Sequence, residues 1–117
     1  MCSAILLLSL VSAVESDYCK VIARQEGARV EVSLFDGTRA DLVGREWIGE
    51  VDFARKWAEG IGQAAYYSAV TDKPGRLYLI YREDEARFVH RAIIAAKKAD
   101  ILVIPKKMSD LRGHLEP

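Results

Sequence analysis

Two acidic residues on consecutive predicted strands give the first indication of chemistry in this chain. Asp41 and Glu50 lie on either side of a turn signal, Gly44-Arg45. A symmetric turn there would place Asp41 nearly opposite Ile48 and diagonal to Glu50. Because residues two apart along a strand share a face, the two carboxylates would project together. Such a pair suits Mg²⁺ or Mn²⁺, although in an arbitrary sheet it is more often a solvated surface feature.

The segment after Glu50 predicts a helix that could bring further polar groups to the same corner. Lys56, Gln63 and Tyr67 are spaced i, i+7 and i+11, which at about 100° per residue places them within roughly 40° of one another. This stripe adjoins the apolar face of the helix, so it can point toward the carboxylates, with Glu59 beside it. On an arbitrary helix such a stripe is usually a solvated face. Here the strand end and the helix start lie at the same corner, which makes the functional interpretation about equally supported.

Hydrophobic patterning predicts the elements that would position these groups. Alternating residues, the Asp36-Gly37 hairpin signal and the nearly continuous apolar run from Arg76 to Tyr81 are the main evidence. The predicted elements are a helix over residues 14–25, strands over 29–34, 39–43 and 47–53, a helix over 54–72, a strand over 76–81, a helix over 84–98 and a buried strand over 101–104. The order αβββαβαβ indicates an α/β (α+β) fold with a mixed central sheet flanked by helices.

Three stretches of the chain carry a resemblance to a known family. They are DGTRADLV from Asp36, IGEVDF from Ile48 and KWAEGIGQAAYY from Lys56. Together they resemble the PD-(D/E)xK nuclease superfamily, in particular small uncharacterised bacterial proteins with the pattern GTRxD…EVDFAxKWAEaIGQaxxY. The resemblance covers about residues 14–104 and implies a restriction-endonuclease-like core with the same order of elements.

The resemblance also implies roles for individual residues. It makes Asp41 and Glu50 the ligands of Mg²⁺ or Mn²⁺, with the backbone carbonyl of Val51 completing the metal shell. Gln63 belongs to the same catalytic group, and Glu15 on the leading helix would be a further ligand or would position water. The implied reaction is hydrolysis of DNA phosphodiester bonds, with DNA as the partner.

One position departs from the family pattern. The lysine expected two residues after Glu50 is replaced by Asp52. Lys56 could supply the ammonium group from a shifted origin, or Asp52 could act as a third carboxylate ligand. A third alternative is a catalytically inactive nuclease fold that binds nucleic acid or a protein partner. The common stripe of Lys56, Gln63 and Tyr67 favours the shifted lysine.

Arg39 is a further candidate for phosphate binding. It lies two residues before Asp41, on the same strand face, and could hold a scissile phosphate bidentately. An ion pair with Glu50 or Asp52 is an equally supported alternative.

Length and composition bound these interpretations. The 117 residues have room for one domain, predicted over residues 14–105 with a C-terminal tail over 106–117. Seventeen basic and seventeen acidic residues balance, so net charge does not indicate nucleic-acid binding. A basic group near the C-terminal end is better explained as a solvated helix face and tail: Lys97, Lys98, Lys106, Lys107 and Arg112. The two cysteines and two histidines have no zinc-ligand spacing, so a structural zinc is not expected.

The first residues have features of a secretory signal. Residues 4–13 form an apolar run too short to span a bilayer but similar to the core of a secretory signal, with small residues at Val11 and Ala13. This pattern favours a signal peptide over residues 1–13 and a periplasmic or secreted protein. No Lys or Arg precedes the run, and cleavage would leave Cys19 unpaired. The alternative is a cytoplasmic protein in which these residues begin the first helix.

Overall fold

A five-stranded mixed sheet forms the centre of the structure, a computed structural model that describes residues 15–115. Helix α1 covers residues 15–26, and the following elements are β1 (Arg29–Ser33), β2 (Arg39–Val43), β3 (Ile48–Phe53), α2 (Trp57–Thr71), β4 (Gly75–Tyr81), α3 (Ala86–Ala99), β5 (Ile101–Lys107) and α4 (Met108–Arg112). Short 3₁₀ turns, Ala54–Lys56 and Glu83–Glu85, precede α2 and α3. The predicted mixed sheet and the order αβββαβαβ are confirmed, and α4 follows them.

The spatial order of the strands is the same as their order in the chain. β1, β2 and β3 form an antiparallel meander, and β3, β4 and β5 run parallel, connected through α2 and α3. Strand β4 is central in the parallel part and is buried on both faces, as its apolar run predicts. Leu77 and Leu79 pack toward α2 and α3, whereas Tyr78 and Ile80 pack toward α1.

The face opposite α2 and α3 is closed by α1 together with α4. Tyr18 and Ile22 of α1 share a buried cluster with Met108 and Leu111 of α4. The side chain of Arg112 also donates a hydrogen bond to the hydroxyl of Tyr18 at 3.1 Å. The segment expected to be a tail from residue 106 therefore completes β5 and forms a helix, because two large apolar residues three apart lie on one helix face.

Strand β5 differs from its prediction as a buried strand. It pairs with β4 alone and is an edge strand, so that Leu102 is exposed. It also extends to Lys107, three residues beyond the predicted end at residue 104. Its apolar run therefore packs against α3 on one side and is only partly covered on the other.

The register of β2 and β3 corrects the position predicted for Asp41. Leu42 pairs with Gly49, and the same register places Asp41 directly opposite Glu50 rather than opposite Ile48. Opposite residues of an antiparallel pair share a face, so the two carboxylates still project together.

The turn between these strands explains the shift. It spans residues 44–47, and the amide of Gly44 donates a hydrogen bond to the carbonyl of Trp47 at 3.0 Å. A Cβ on Gly44 would lie 2.0 Å from the indole of Trp47, so glycine allows the indole to lie over the backbone. Trp47 therefore closes the turn instead of beginning the strand.

Membrane insertion was not expected from the sequence, because the apolar run is too short. Among residues 15–115, no helix is both long and apolar enough to cross a bilayer. The signal peptide predicted over residues 1–13 lies outside the described residues.

The close packing of α2 on β3 and β4 gives a testable prediction. A Cβ at Gly60 would lie 2.7 Å from Cδ1 of Leu77 and 2.9 Å from Oδ2 of Asp52, whereas Gly62 has no neighbour within 4 Å. We expect Gly60→Ala to lower the free energy of unfolding by about 1–3 kcal/mol through overpacking. On the same helix, Gly62→Ala should raise it by up to about 1 kcal/mol through helix propensity. Urea denaturation of both variants measures the difference, and equal effects would contradict this packing.

Candidate active site

Strands β2 and β3 separate at the point where Asp41 and Glu50 face each other. Their pairing includes Leu42 with Gly49 but does not continue to these two residues. The amide of Asp41 instead donates to Oε1 of Glu50 at 3.4 Å, and the amide of Val51 donates to Oδ2 of Asp41 at 2.9 Å. Side-chain carboxylates thus take the place of backbone carbonyls where the ladder ends.

A cavity of about 290 Å³ opens beside the separated strands. It collects residues from α1, β2, β3, the 3₁₀ turn and α2. Its lining contains every side chain predicted for the site: Glu15, Arg39, Asp41, Glu50, Asp52, Lys56, Gln63 and Tyr67. Glu59 lines it as well. The structure therefore brings the predicted residues together, while their chemical roles remain predictions.

The helical stripe predicted from the sequence faces this cavity. Gln63 and Tyr67 are on α2, and Lys56 is the last residue of the 3₁₀ turn before it. The ammonium group of Lys56 is close enough to favour the charged forms of Glu15 and Asp52, because its charge acts to lower the pKa of each. Lys56, together with Arg39, thus faces carboxyls from α1, β2, β3 and α2.

The facing pair of carboxyls is electrostatically unfavourable without a cation. Burial raises the pKa of both Asp41 and Glu50, and the charge of Asp41 raises the pKa of Glu50 further. The repulsion between the two close carboxyls also holds the pKa of Glu50 well above its ordinary value, so the pair readily binds a proton in the absence of a cation. Among residues 15–115, neither carboxyl forms an ion pair.

Asp52 is a buried carboxyl where the family pattern has a lysine. Its side chain is only 7% exposed, and Oδ2 has no hydrogen-bond partner among the described residues. Burial and the charges of Glu15, Asp41 and Glu59 raise the pKa of Asp52 to about 7, against the opposing effect of Lys56. The position therefore adds negative charge, or a protonated acid, to the cavity.

Glu31 is a neighbour of the site that the sequence did not indicate. Its backbone has a φ of 50°, in the left-handed region that non-glycine residues rarely adopt. It lies opposite Asp41, between two formed pairs of the β1–β2 ladder. A second cavity of about 340 Å³ adjoins the first, lined by Glu15, Ser16, Cys19, Glu31, Asp41, Val51 and Lys56. An alternating strand pattern carries no signal of such a backbone, so the sequence offered no means of finding it.

Arg39 does not form the ion pair considered as an alternative to phosphate binding. Its guanidinium lies 3.8 Å from the carboxylate of Glu31, and not beside Glu50 or Asp52. Both partners are largely exposed, so the contact contributes little to stability. The guanidinium remains at the rim of the cavity.

The basic residues near the C-terminal end are mostly engaged within the fold. Lys106 pairs with Glu26 and Lys107 pairs with Glu83. Lys97 and Lys98 are exposed near the end of α3. This arrangement agrees with a solvated face better than with a separate surface for nucleic acid.

The oxygen donors of the cavity fit a hard divalent cation in type. Within residues 15–115, no group of three or more His, Cys, Asp or Glu side chains has the arrangement of a metal cluster. Mg²⁺, however, is commonly held by one or two carboxylates, with water and substrate phosphate as the remaining ligands. Asp41 and Glu50 meet that requirement. Oδ2 of Asp52, which has no hydrogen-bond partner among the described residues, is a further oxygen that could coordinate the cation.

Comparison with known proteins leaves the family unassigned. The chain matches no protein-family model, and no significant match is found among curated proteins or solved structures. The resemblance to the PD-(D/E)xK nuclease superfamily therefore stays a prediction, and function is inferred from the geometry of the site.

Buried acids with raised pKa values predict a specific dependence of stability on pH. Such an acid binds its proton more tightly in the folded state than in the unfolded state. The stability of the fold therefore decreases as pH rises from the pKa of the unfolded state to that of the folded state. For Asp52 that interval runs from 3.8 to about 7. In EDTA, we expect thermal stability to fall between pH 5 and pH 7, and to fall less in Asp52→Asn.

Asp84→Asn is the control for this measurement, because Asp84 is exposed and outside the cavity. It should keep the wild-type slope of melting temperature against pH. Parallel curves for wild type and Asp52→Asn would show that Asp52 is not the buried acid described.

Proposed function

We propose that this protein is a Mg²⁺- or Mn²⁺-dependent phosphodiesterase that hydrolyses DNA. The observation that carries the proposal is the facing pair of Asp41 and Glu50 where β2 and β3 separate, in a cavity that also contains Lys56 and Gln63. Two carboxyls that repel each other, beside one ammonium group and an amide, match the needs of a divalent cation and a phosphate diester.

The cavity residues divide into those that hold the cation and those that act on the phosphate. Asp41 and Glu50 would hold the cation, and Glu15 would bind a water molecule near it. When bound, the metal lowers the pKa of a coordinated water and offsets charge on the phosphate. Arg39 at the rim can donate two hydrogen bonds to the phosphate and hold it in place. The amide of Gln63 can donate to the attacking water or to a phosphate oxygen.

Lys56 is the residue we propose in place of the missing motif lysine. It lines the same cavity as Asp41 and Glu50 and lies near Asp52, which occupies the usual lysine position. An ammonium there can orient the nucleophile and offset charge on the transition state. Asp52 then either stays protonated or adds an oxygen ligand to the cation.

Asp52 also gives the alternative function a specific basis. A carboxyl at the position of a phosphate-binding lysine would repel a phosphate when ionised. In that case the protein would be catalytically inactive and would bind nucleic acid or a protein partner. The following experiments distinguish the two functions.

Removal of either proposed metal ligand should abolish cleavage. We expect Asp41→Asn and Glu50→Gln to lower hydrolysis of labelled DNA by roughly 100-fold or more and to weaken Mn²⁺ binding in calorimetry. Both substitutions keep an oxygen that can accept the backbone hydrogen bond, so the fold should persist. Glu46→Gln, an exposed acid outside the cavity, is the control. Absence of wild-type cleavage of linear, nicked, branched and single-stranded DNA would rule out the enzyme.

Lys56 and Asp52 can be distinguished by separating metal binding from turnover. We expect Lys56→Ala to lower kcat by roughly 100-fold while Mn²⁺ affinity is kept. The neighbouring Arg55→Ala removes a cation that pairs with Glu85 and does not line the cavity, so it should behave as wild type. If Asp52→Asn abolishes Mn²⁺ binding and Lys56→Ala leaves kcat unchanged, Asp52 is a ligand and Lys56 has no catalytic role.

A further inference from the structure

Two exposed aromatic side chains lie on the surface near the cavity. Phe35 is 85% exposed at the tip of the β1–β2 hairpin, and Tyr66 of α2 is 45% exposed. No other phenylalanine, tyrosine or tryptophan among residues 15–115 is a largely exposed side chain. Exposed aromatic rings beside a candidate site are candidates for contact with a partner.

The hairpin that carries Phe35 is held in one conformation. The carboxylate of Asp36 accepts hydrogen bonds from the amide and hydroxyl of Thr38, at 3.1 and 2.6 Å. The amide of Leu34 donates to the carbonyl of Thr38 at 2.8 Å, and Gly37 adopts a φ of 86° that completes a three-residue loop. Phe35 is therefore presented on a fixed turn.

A continuous series of contacts connects this tip to the cavity. The hydroxyl of Tyr66 donates a hydrogen bond to Asp36, the residue after Phe35. The ring of Tyr66 packs edge-on against the ring of Tyr67, with centroids 5.9 Å apart, and Tyr67 lines the cavity. The exposed ring of Tyr66 is therefore in direct contact with a residue of the cavity lining.

Resting on the proposed function, we propose that Phe35 and Tyr66 form a stacking platform for unpaired bases beside the cavity, so that the substrate is single-stranded or locally unpaired nucleic acid. Aromatic side chains stack on nucleobases of any type, but only when the base faces are accessible. The bases of an intact duplex already stack on one another.

The charges around the cavity agree with this type of substrate. The cavity is lined by two cations, Arg39 and Lys56, and by five acids that a bound divalent cation would offset, and the chain as a whole has no net charge. Tight binding of a duplex through its backbone usually requires many contacts between basic residues and phosphates. Two cations beside a pair of exposed rings are better suited to one strand, with the phosphate at the cations and a base on the rings.

Binding in Ca²⁺, a divalent cation that oxygen ligands hold and that can offset the carboxyls of the cavity, tests the platform apart from Mg²⁺-dependent cleavage. Fluorescence anisotropy would compare a labelled single-stranded oligonucleotide, its duplex and a strand of the same length with abasic positions. We expect Phe35→Ala to weaken single-strand binding roughly five- to a hundredfold, and Phe35→Trp to keep it. Ile94→Ala is the control, because Ile94 is a similarly exposed apolar residue on α3, which contributes nothing to the cavity.

The outcomes separate this proposal from the proposed enzyme. If Phe35→Ala binds the single strand as wild type does, or weakens abasic and intact strands equally, the platform is excluded even when Asp41-dependent cleavage is observed. A change of oligomeric state in Phe35→Ala during sedimentation would assign the rings to contact between copies and also exclude it. Phe35-dependent single-strand binding without any cleavage would support the platform and refute the enzyme.

Discussion

Buried carboxyl groups are the constraint on which the arrangement of this structure depends. Glu50 and Asp52 lie on the face of β3 under α2 with almost no exposure, and no Lys or Arg among residues 15–115 forms an ion pair with them. A buried carboxyl requires protonation, hydrogen bonds or a nearby cation to offset the loss of water. The apolar clusters on both faces of the sheet hold β3 in place, so these groups cannot move out to water. Perturbed acids held in this way are characteristic of functional sites.

The backbone near Asp41 depends on the same side chains. On the β3 side the ladder ends, and carboxyl oxygens accept the amides of Asp41 and Val51. On the β1 side, the left-handed backbone of Glu31 interrupts the regular strand. Backbone strain of this kind persists only where the surrounding structure imposes it. The strands and the carboxyls therefore determine each other's positions, so the site belongs to the architecture of the sheet and is not an addition to its surface.

The sequence predicted the elements well because their patterns are local. Alternation, a hairpin dipeptide and a long apolar run each report on a few adjacent residues. Strand parity and helix periodicity predicted the positions of most cavity side chains, whereas Glu15 was implied only by the resemblance to the nuclease superfamily. The errors arose where contacts between residues far apart in the sequence determine the local structure. Trp47 lies over Gly44 and lengthens the turn, which shifts the register. The burial of Asp52 depends on close approach of α2 at Gly60, and nothing in an alternating strand indicates a positive φ at Glu31.

The packing of α1 against α4 has a consequence for the order of folding. Tyr18 and Arg112 are 94 positions apart in the chain, whereas β3, α2, β4, α3 and β5 contact their neighbours over short sequence separations. Loop-closure entropy opposes distant contacts more than near ones. We therefore expect the parallel half of the sheet to form first, with its helices on one side only. Glu15 reaches the cavity from α1, so during synthesis the cavity stays incomplete until α4 has left the ribosome and α1 can pack against it.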